Sequence, residues 1–390
     1  MKFIQEKLIL ISFILLLVFV FCSGCTESSL SESDVALSEN TDMITVTDAL
    51  GREIEVPRSP EHVLCSGPGC LRLLTYLEAQ DKIVAVDSIE TRDSPYEARP
   101  YAYANPQFST DYEVFGEFRG NDDPEKILSL EPQPQVIFKT YYGSGYDPVE
   151  LQQKTGIPVI TLNYGDMVDN REDLYQSLET MGLVMGKEKR AQEVMDFFDT
   201  SINDLNERTS DVAEEDKIAC YVGGIARSGP HGIQSTEPTY PPFLFTNAKN
   251  VAYDPMNLST VEVARENIVD WNPEIIFIDL SSVRSEGENN ALYQLQNEVI
   301  YRQLGAVKSG EVYGVLPYNY YTQNFGSILA DSYYVGKLLY PDRFDDIDVD
   351  NKTIEIYTFL VCSGDRENGA EVYESMRTAF GTPAFTKIDV

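Results

Sequence analysis

The sequence predicts an α/β protein of two lobes, each built on its own parallel sheet, joined by a single long helix. Three observations predict it. Short apolar runs alternate with helical segments through most of the chain, the pattern of a parallel sheet covered on both faces. The alternation occurs twice, and the two series echo each other. Pro124–Phe138 (PEKILSLEPQPQVIF) and Val263–Phe277 (VARENIVDWNPEIIF) both run helix, acidic or amide residue, Pro, then apolar strand. Between the series, Lys187–Thr209 lacks Gly and Pro and has apolar residues at helical spacing; at 1.5 Å per residue it makes a rod of roughly 35 Å.

The elements follow in order. Lys2 and Lys7 precede an apolar run, Leu8 to Phe21, which ends in Cys22-Ser23-Gly24-Cys25. This reads as a lipoprotein signal over 1–25, with lipid on Cys25, although Cys22 stands where Leu is usual. An uncleaved anchor is the other reading; the run falls short of the roughly 20 residues of a typical span. Residues 26–43 (TESSLSESDVALSENTDM) are Ser- and acid-rich and predict a flexible tether. Ile44–Val56 predicts a hairpin around Gly51. The first lobe, 44–168, then takes strands at His62–Ser66, Lys82–Val86, Gln135–Thr140 and Ile157–Leu162. Its helices are expected over Gly69–Ala79, over Pro124–Leu130 and from Asp147. Residues 169–210 form the helical connection. The second lobe, 211–344, takes strands at Lys217–Val222, Glu274–Leu280 and Glu311–Leu316. Helices are expected near Pro241–Ala248, Val261–Val269 and Phe325–Leu339. The extension, 345–390, reads as two helices, Ile354–Val361 and Val372–Phe380, packed on the second lobe.

A formal net charge of −33 excludes nucleic acid and anionic lipid headgroups as partners. Beyond Cys22 and Cys25, only Cys65, Cys70, Cys220 and Cys362 remain, which is no disulfide framework. Cys65 and Cys70 flank one strand-to-helix turn, as a pair or as buried free thiols. Two histidines, His62 and His231, are too few for a site that binds a bare metal ion.

In open parallel sheets ligands bind beyond the carboxyl ends of the strands. The residues there are Ser66, Gly67 and Gly69; Glu90 and Arg92; Tyr141 and Tyr142; Tyr164; Arg227 and His231; and Tyr318, Asn319, Tyr320 and Tyr321, with Arg119 (FGEFRGND) on the same rim. The expected ligand contacts are Arg92, Arg119, Tyr141, Tyr142, Tyr164, Arg227, His231, Tyr318 and Tyr320. Tyrosine offers area with a polar tip and arginine forks onto carboxylates, so a bulky, partly aromatic or anionic ligand is expected. His231 is the candidate axial donor to a metal that arrives already chelated. Ser66–Gly69 (SGPG) reads as a tight turn, since Pro68 removes a donor that an anion cradle would need.

The lipoprotein start, the segment Val46–Ser88 (VTDALGREIEVPRSPEHVLCSGPGCLRLLTYLEAQDKIVAVDS) and the repeated PxxIL and PxxIF pattern resemble the iron-chelate and cobalamin substrate-binding proteins of ABC importers. Tyr221–Asn250 resembles an archaeal and anaerobic-bacterial branch usually labelled iron-complex binding. The resemblance covers about Ile44 to Phe344. It implies two Rossmann-like lobes bridged by one helix (the type III architecture), clamping a metal chelate for delivery to a permease driven by a cytoplasmic ATPase. It also implies one docking glutamate per lobe, carried here onto Glu97 and Glu266.

HExxH and GxSxG are absent. The expectation is therefore a monomeric, non-enzymatic receptor without a cofactor, lipid-anchored on the outer face of the cell membrane. It would bind a ferric siderophore-type chelate. A corrinoid receptor of the same fold is the alternative, and a cell-surface hydrolase is the alternative from another class.

Overall fold

The computed structural model describes residues 42–93, 97–257 and 259–390. The signal, the tether and Cys25 lie outside them.

An antiparallel hairpin opens the fold: β1 (Met43–Thr47) and β2 (Glu53–Pro57) pair around Gly51, with Val46, Ile54 and Val56 turned inward. The first lobe follows: β3 (Val63–Ser66), α1 (Cys70–Tyr76), β4 (Ala85–Asp87), α2 (Pro100–Ala104), β5 (Glu113–Glu117), β6 (Asn121–Asp122), α3 (Pro124–Ser129), β7 (Val136–Thr140), α4 (Pro148–Thr155) and β8 (Val159–Leu162). Strands β3, β7 and β8 run parallel in that order. Strand β4 runs parallel to β5, and a parallel Val63–Ile83 bridge ties this group to β3. The departure from a purely parallel sheet is β6, which returns antiparallel on β5 through Phe118-Arg119-Gly120. Arg119 (φ 65°) and Gly120 (φ 73°) turn the chain. A three-residue connection is too short for the crossover a parallel pair needs.

Helices α5 (Arg171–Met185) and α6 (Glu188–Thr209) make the connection. Ala191, Val194, Met195, Phe198, Ile202 and Leu205 form the buried stripe of α6, at the spacing of one helix face.

The second lobe has β9 (Ala219–Gly223), β10 (Ser235–Thr236), α7 (Pro241–Phe245), β11 (Lys249–Asn250), β12 (Val261–Glu262), α8 (Arg265–Trp271), β13 (Ile275–Asp279), α9 (Ala291–Asn297), α10 (Gly305–Ser309), β14 (Val312–Val315) and α11 (Phe325–Leu339). Its sheet is parallel throughout, in the order β11-β9-β13-β14. The echo in sequence is an echo in structure: Ile127 and Ile268 bury the same face of α3 and α8, and Gly156 and Gly310 end α4 and α10 in the left-handed conformation.

The extension corrects its expectation. Helices α12 (Val349–Val361) and α13 (Arg366–Thr378) do not rest on the second lobe alone. Helix α12 packs on α11 and also on α1 and α2, and α13 packs on α2. The amphipathic face of α13 (Val372, Tyr373, Met376) finds its apolar cover there, and the chain end then returns to β14 at Tyr313–Lys387. All four of Cys65, Cys70, Cys220 and Cys362 are buried free thiols. Among the described residues no helix is long and apolar enough to cross a membrane.

Candidate ligand-binding cleft

The carboxyl ends of both sheets face one cleft, and a strap from the second lobe crosses it. After β14 the chain Leu316–Asn324 runs into the first lobe before entering α11. Arg72 of α1, 1% exposed, receives it: its guanidinium donates to the carbonyls of Gln323 (2.7 Å) and Tyr320 (3.1 Å). Tyr164 donates to the same Gln323 carbonyl at 2.7 Å. Tyr321 donates to Asp87 (2.6 Å) and accepts from the Arg119 amide (2.9 Å). Tyr141 and Thr322 share a hydroxyl–hydroxyl bond of 2.5 Å. Tyr141 (φ 50°), Tyr321 (φ 51°) and Thr322 (φ 66°) all hold left-handed backbone. Such conformations are costly for residues with bulky side chains, so the surrounding bonds impose the wall's shape.

This wall divides the cleft into two chambers. The first, about 490 Å³, is lined by Arg92, Phe118, Arg119, Tyr141, Arg227, Tyr320 and Tyr321 among others, with no Asp or Glu among the described residues of its lining. Arg92 and Arg119 lie over the same Phe118 ring, at 4.6 and 5.2 Å from its centroid. Among the described residues no carboxylate pairs with Arg92, Arg119 or Arg227. Three exposed, unneutralised guanidiniums in a chain this acidic are an anion-attracting surface.

The second chamber, about 530 Å³, is lined by Tyr141, Tyr142, Tyr164, Asp166, Asp173, Glu237, Tyr318 and Gln323 among others, with no Lys, Arg or His among the described residues of its lining. Tyr318 donates to the buried Glu237 carboxyl, which has no cation beside it among the described residues. Burial, with help from Asp166 and Asp279, pushes Glu237 up to about 8.

Four buried groups that hold these residues escaped the sequence reading. Lys139 of β7 pairs with Asp122 of β6 at 2.6 Å, both essentially unexposed, and donates to the Gly120 carbonyl at 2.9 Å. It thereby fixes the turn that presents Arg119. Arg99, also buried, pairs with Glu90 at 2.9 Å and steadies the segment leading to Arg92. Arg72 anchors the strap. A lysine inside the apolar run VIFKT was the one available signal, since a charge there needs a partner.

Of the nine expected contacts, eight line a chamber. Arg92, Arg119, Arg227 and Tyr320 line the first, Tyr142, Tyr164 and Tyr318 the second, and Tyr141 both. Tyr164 is buried, stacked on Phe325 at 5.2 Å, and serves as wall. His231 lines neither chamber. Its Nε2 meets the Arg227 carbonyl at 2.8 Å and its Nδ1 meets Glu262 at 3.1 Å, so both nitrogens are engaged within the second lobe and neither is free as an axial donor. The SGPG turn is packing: a Cβ on Gly67 would stand 2.4 Å from the Thr140 carbonyl, and one on Gly69 2.2 Å from the Tyr164 ring. Glu97 is bound to Arg99 at 2.7 Å, whereas Glu266 stands exposed in the first turn of α8.

Comparison with known proteins agrees with this architecture. The chain is 22% identical over 336 residues to an uncharacterized ABC transporter substrate-binding lipoprotein, YvrC, of Bacillus subtilis, covering 85% of this chain and 97% of that protein. The molybdate-bound structure of MolA from Haemophilus influenzae superposes with a TM-score of 0.62 at 20% identity, over 82% of this chain and 98% of that one. The petrobactin-binding protein YclQ of B. subtilis does so with a TM-score of 0.52 at 19% identity, over 78% and 99%. Residues 63–318 match the family described as periplasmic binding protein. The chain therefore belongs to that family, the extracytoplasmic solute receptors of ABC importers, which bind their cargo and catalyse nothing.

Proposed function

We propose that the cargo is an anionic metal chelate of the ferric siderophore type, held in the first chamber. One observation carries this reading: Arg92 and Arg119 from the first lobe and Arg227 from the second line one aromatic cavity with no acid among its described residues. Its volume of about 490 Å³ falls within the usual range for small organic ligands, roughly 300–1,000 Å³. Guanidiniums from both lobes let one anion draw the lobes together. The first chamber supports a second reading, a bare oxyanion, because MolA is named for molybdate.

Calorimetric titration with ferric chelates of graded charge (tris-catecholate, α-hydroxycarboxylate, cationic trihydroxamate) and with molybdate tests both readings. Saturable binding that strengthens with negative charge is expected for the chelates. Binding of molybdate alone would replace the chelate by the oxyanion, and binding of none would overturn the reading. Trp271 is a poor reporter for such work, because it ends α8 and packs on Tyr221, outside both chamber linings.

Delivery requires docking on the permease. The helix echo supports Glu125 in place of Glu97 as the counterpart of Glu266: counting from the buried Ile127 and Ile268, Glu125 matches Glu266, and both are exposed in the first turn of their helices. Reversing both (Glu125→Lys with Glu266→Lys) should abolish uptake and leave ligand affinity intact; undiminished uptake would remove the docking role. Lipid on Cys25 completes the proposal. It predicts that the protein incorporates labelled fatty acid and that Cys25→Ser abolishes the labelling, whereas labelling that survives the substitution would refute it.

A further inference from the structure

We propose that the second chamber is a recognition site for an organic ammonium group, so that the receptor reads a positive charge in its cargo as well as a negative one. The inference deepens the chelate reading and rests on it only for the identity of the molecule that carries the ammonium.

The chemistry of the wall points to a donor. Most of its hydroxyl and amide donors are already committed, the exceptions being the Ser259 and Thr260 hydroxyls and the Gln323 side-chain amide. Tyr142 donates to Asn163 (3.0 Å), Tyr164 to the Gln323 carbonyl (2.7 Å) and Tyr318 to Glu237. The side-chain amides of Asn163, Asn170 and Asn319 donate to Asp173 (3.0 Å), Asp166 (2.6 Å) and the Ala226 carbonyl (2.8 Å). The buried positions of the chamber offer acceptor capacity. Glu237, 6% exposed, has a donor on one oxygen only among the described residues, and the Gln323 side-chain oxygen is buried with no donor. A buried acceptor without a donor is costly, and a buried carboxylate without a cation more so. A ligand that supplies several N–H donors and one positive charge removes both costs together.

A bare metal ion is the poorer occupant. Among the described residues no three carboxyl, thiol or imidazole groups converge as a metal site would require. An alkylammonium needs no such convergence. It asks for two or three acceptors and an aromatic surround, which Tyr141, Tyr142 and Tyr318 furnish. The two chambers share Tyr141, Asn319 and Thr322, so a chelate with an amine-bearing arm can lie across that wall with its opposite charges on opposite sides.

Two measurements test the proposal at 0.15 M salt, where charges more than about 8 Å apart are largely screened. In the first, thermal unfolding is followed with 1,5-diaminopentane and with 1,5-pentanediol. A saturable upward shift with the diamine alone, lost in Glu237→Gln and reduced in Asp173→Asn, is expected. No shift, or equal shifts with both compounds or in wild type and Glu237→Gln, overturns the site. In the second, a ferric chelate with a terminal primary amine is compared with its N-acetyl form. The amine should bind about 10-fold tighter, about 1.4 kcal/mol, with the ratio falling toward one in Glu237→Gln. Arg119→Gln should weaken both forms and preserve the ratio. Equal affinities in wild type overturn the proposal for chelates. If neither chelate binds, the chelate reading falls, and the diamine measurement still decides the chamber.

Discussion

The two lobes treat buried charge in opposite ways. In the first, two of the buried acids have buried bases, Asp122 with Lys139 and Glu90 with Arg99, while Asp87 is met by the Tyr321 hydroxyl. In the second, Glu237, Asp279 and Asp331 are all at most 6% exposed and none has a cation in the ion pairs of the described residues. Burial raises all three, Glu237 to about 8 and Asp279 to about 7. The first lobe uses its pairs as scaffolding, which leaves its exposed arginines free for a ligand. The second keeps carboxyls behind the cleft that have no cation beside them, so burial favours their protonated form. One cleft thus acquires two chambers of opposite character, and their separation depends on Tyr141 and Thr322.

The comparison breaks most visibly if one charge is removed from each lobe. Lys139→Met strands Asp122 in the core and should cost about 3–5 kcal/mol in urea unfolding, whereas Lys139→Met with Asp122→Leu should recover most of it. Glu237→Gln removes a charge that nothing compensates and should leave stability unchanged or raise it at pH 8. A loss like that of Lys139→Met would show that the second lobe hides a partner.

Next in size is affinity. Each of Arg92→Gln, Arg119→Gln and Arg227→Gln should weaken an anionic chelate about 10-fold, the scale of one charged hydrogen bond, and reduce the salt dependence of binding. Substitution in pairs should exceed either single change. Unaltered binding in all three would remove the first chamber from the site.

The pH dependence sharpens the contrast further. A carboxyl raised by folding keeps its proton in the folded chain at pH values where the unfolded chain has released it. Stability should therefore fall as pH rises from about 5 to 8, the window set by Asp279 near 7 and Glu237 near 8. Asp87 in the first lobe, raised to about 7 by burial and by Glu90, adds to the same slope. Glu237→Gln with Asp279→Asn should flatten most of it in urea midpoints measured across that range. A slope the double variant leaves untouched would place the titration elsewhere. The smallest effect belongs to the wall: Tyr141→Phe removes one hydroxyl bond, worth about 0.5–1.5 kcal/mol, and should lower the melting temperature by a few degrees or less.

The sequence was most legible where the physics is local. Strand positions followed from apolar runs such as VIFKT and IIFID, and α6 from an unbroken helical stripe; both were found within a residue or two. The short pieces β6, β10, β11 and β12 were not foreseen, because two residues carry no period. Eight of nine expected contacts reach the cleft, since the carboxyl ends of parallel strands must converge there. The failures were side chains whose partners are distant in sequence. His231 reads as a free loop donor until Glu262 and the Arg227 carbonyl take both nitrogens, and Glu97 reads as a free acid until Arg99 holds it. Glu237 gave no signal at all, because burial is invisible in a polar loop.

The sequence by itself determined the two α/β series, the helix between them, the internal repeat, and the residue types that meet in the cleft. These follow from periodicity and topology, which act over a few residues at a time. Only the tertiary structure decided that the extension braces both lobes and that Lys139 and Arg72 are buried anchors. It alone sorted the arginines and the acids onto opposite sides of one hydroxyl bond. Those outcomes depend on contacts between Arg72 and Gln323, or between Tyr141 and Thr322, across more than 180 residues. Desolvation and charge pairing act through space, so no local pattern in the chain encodes them.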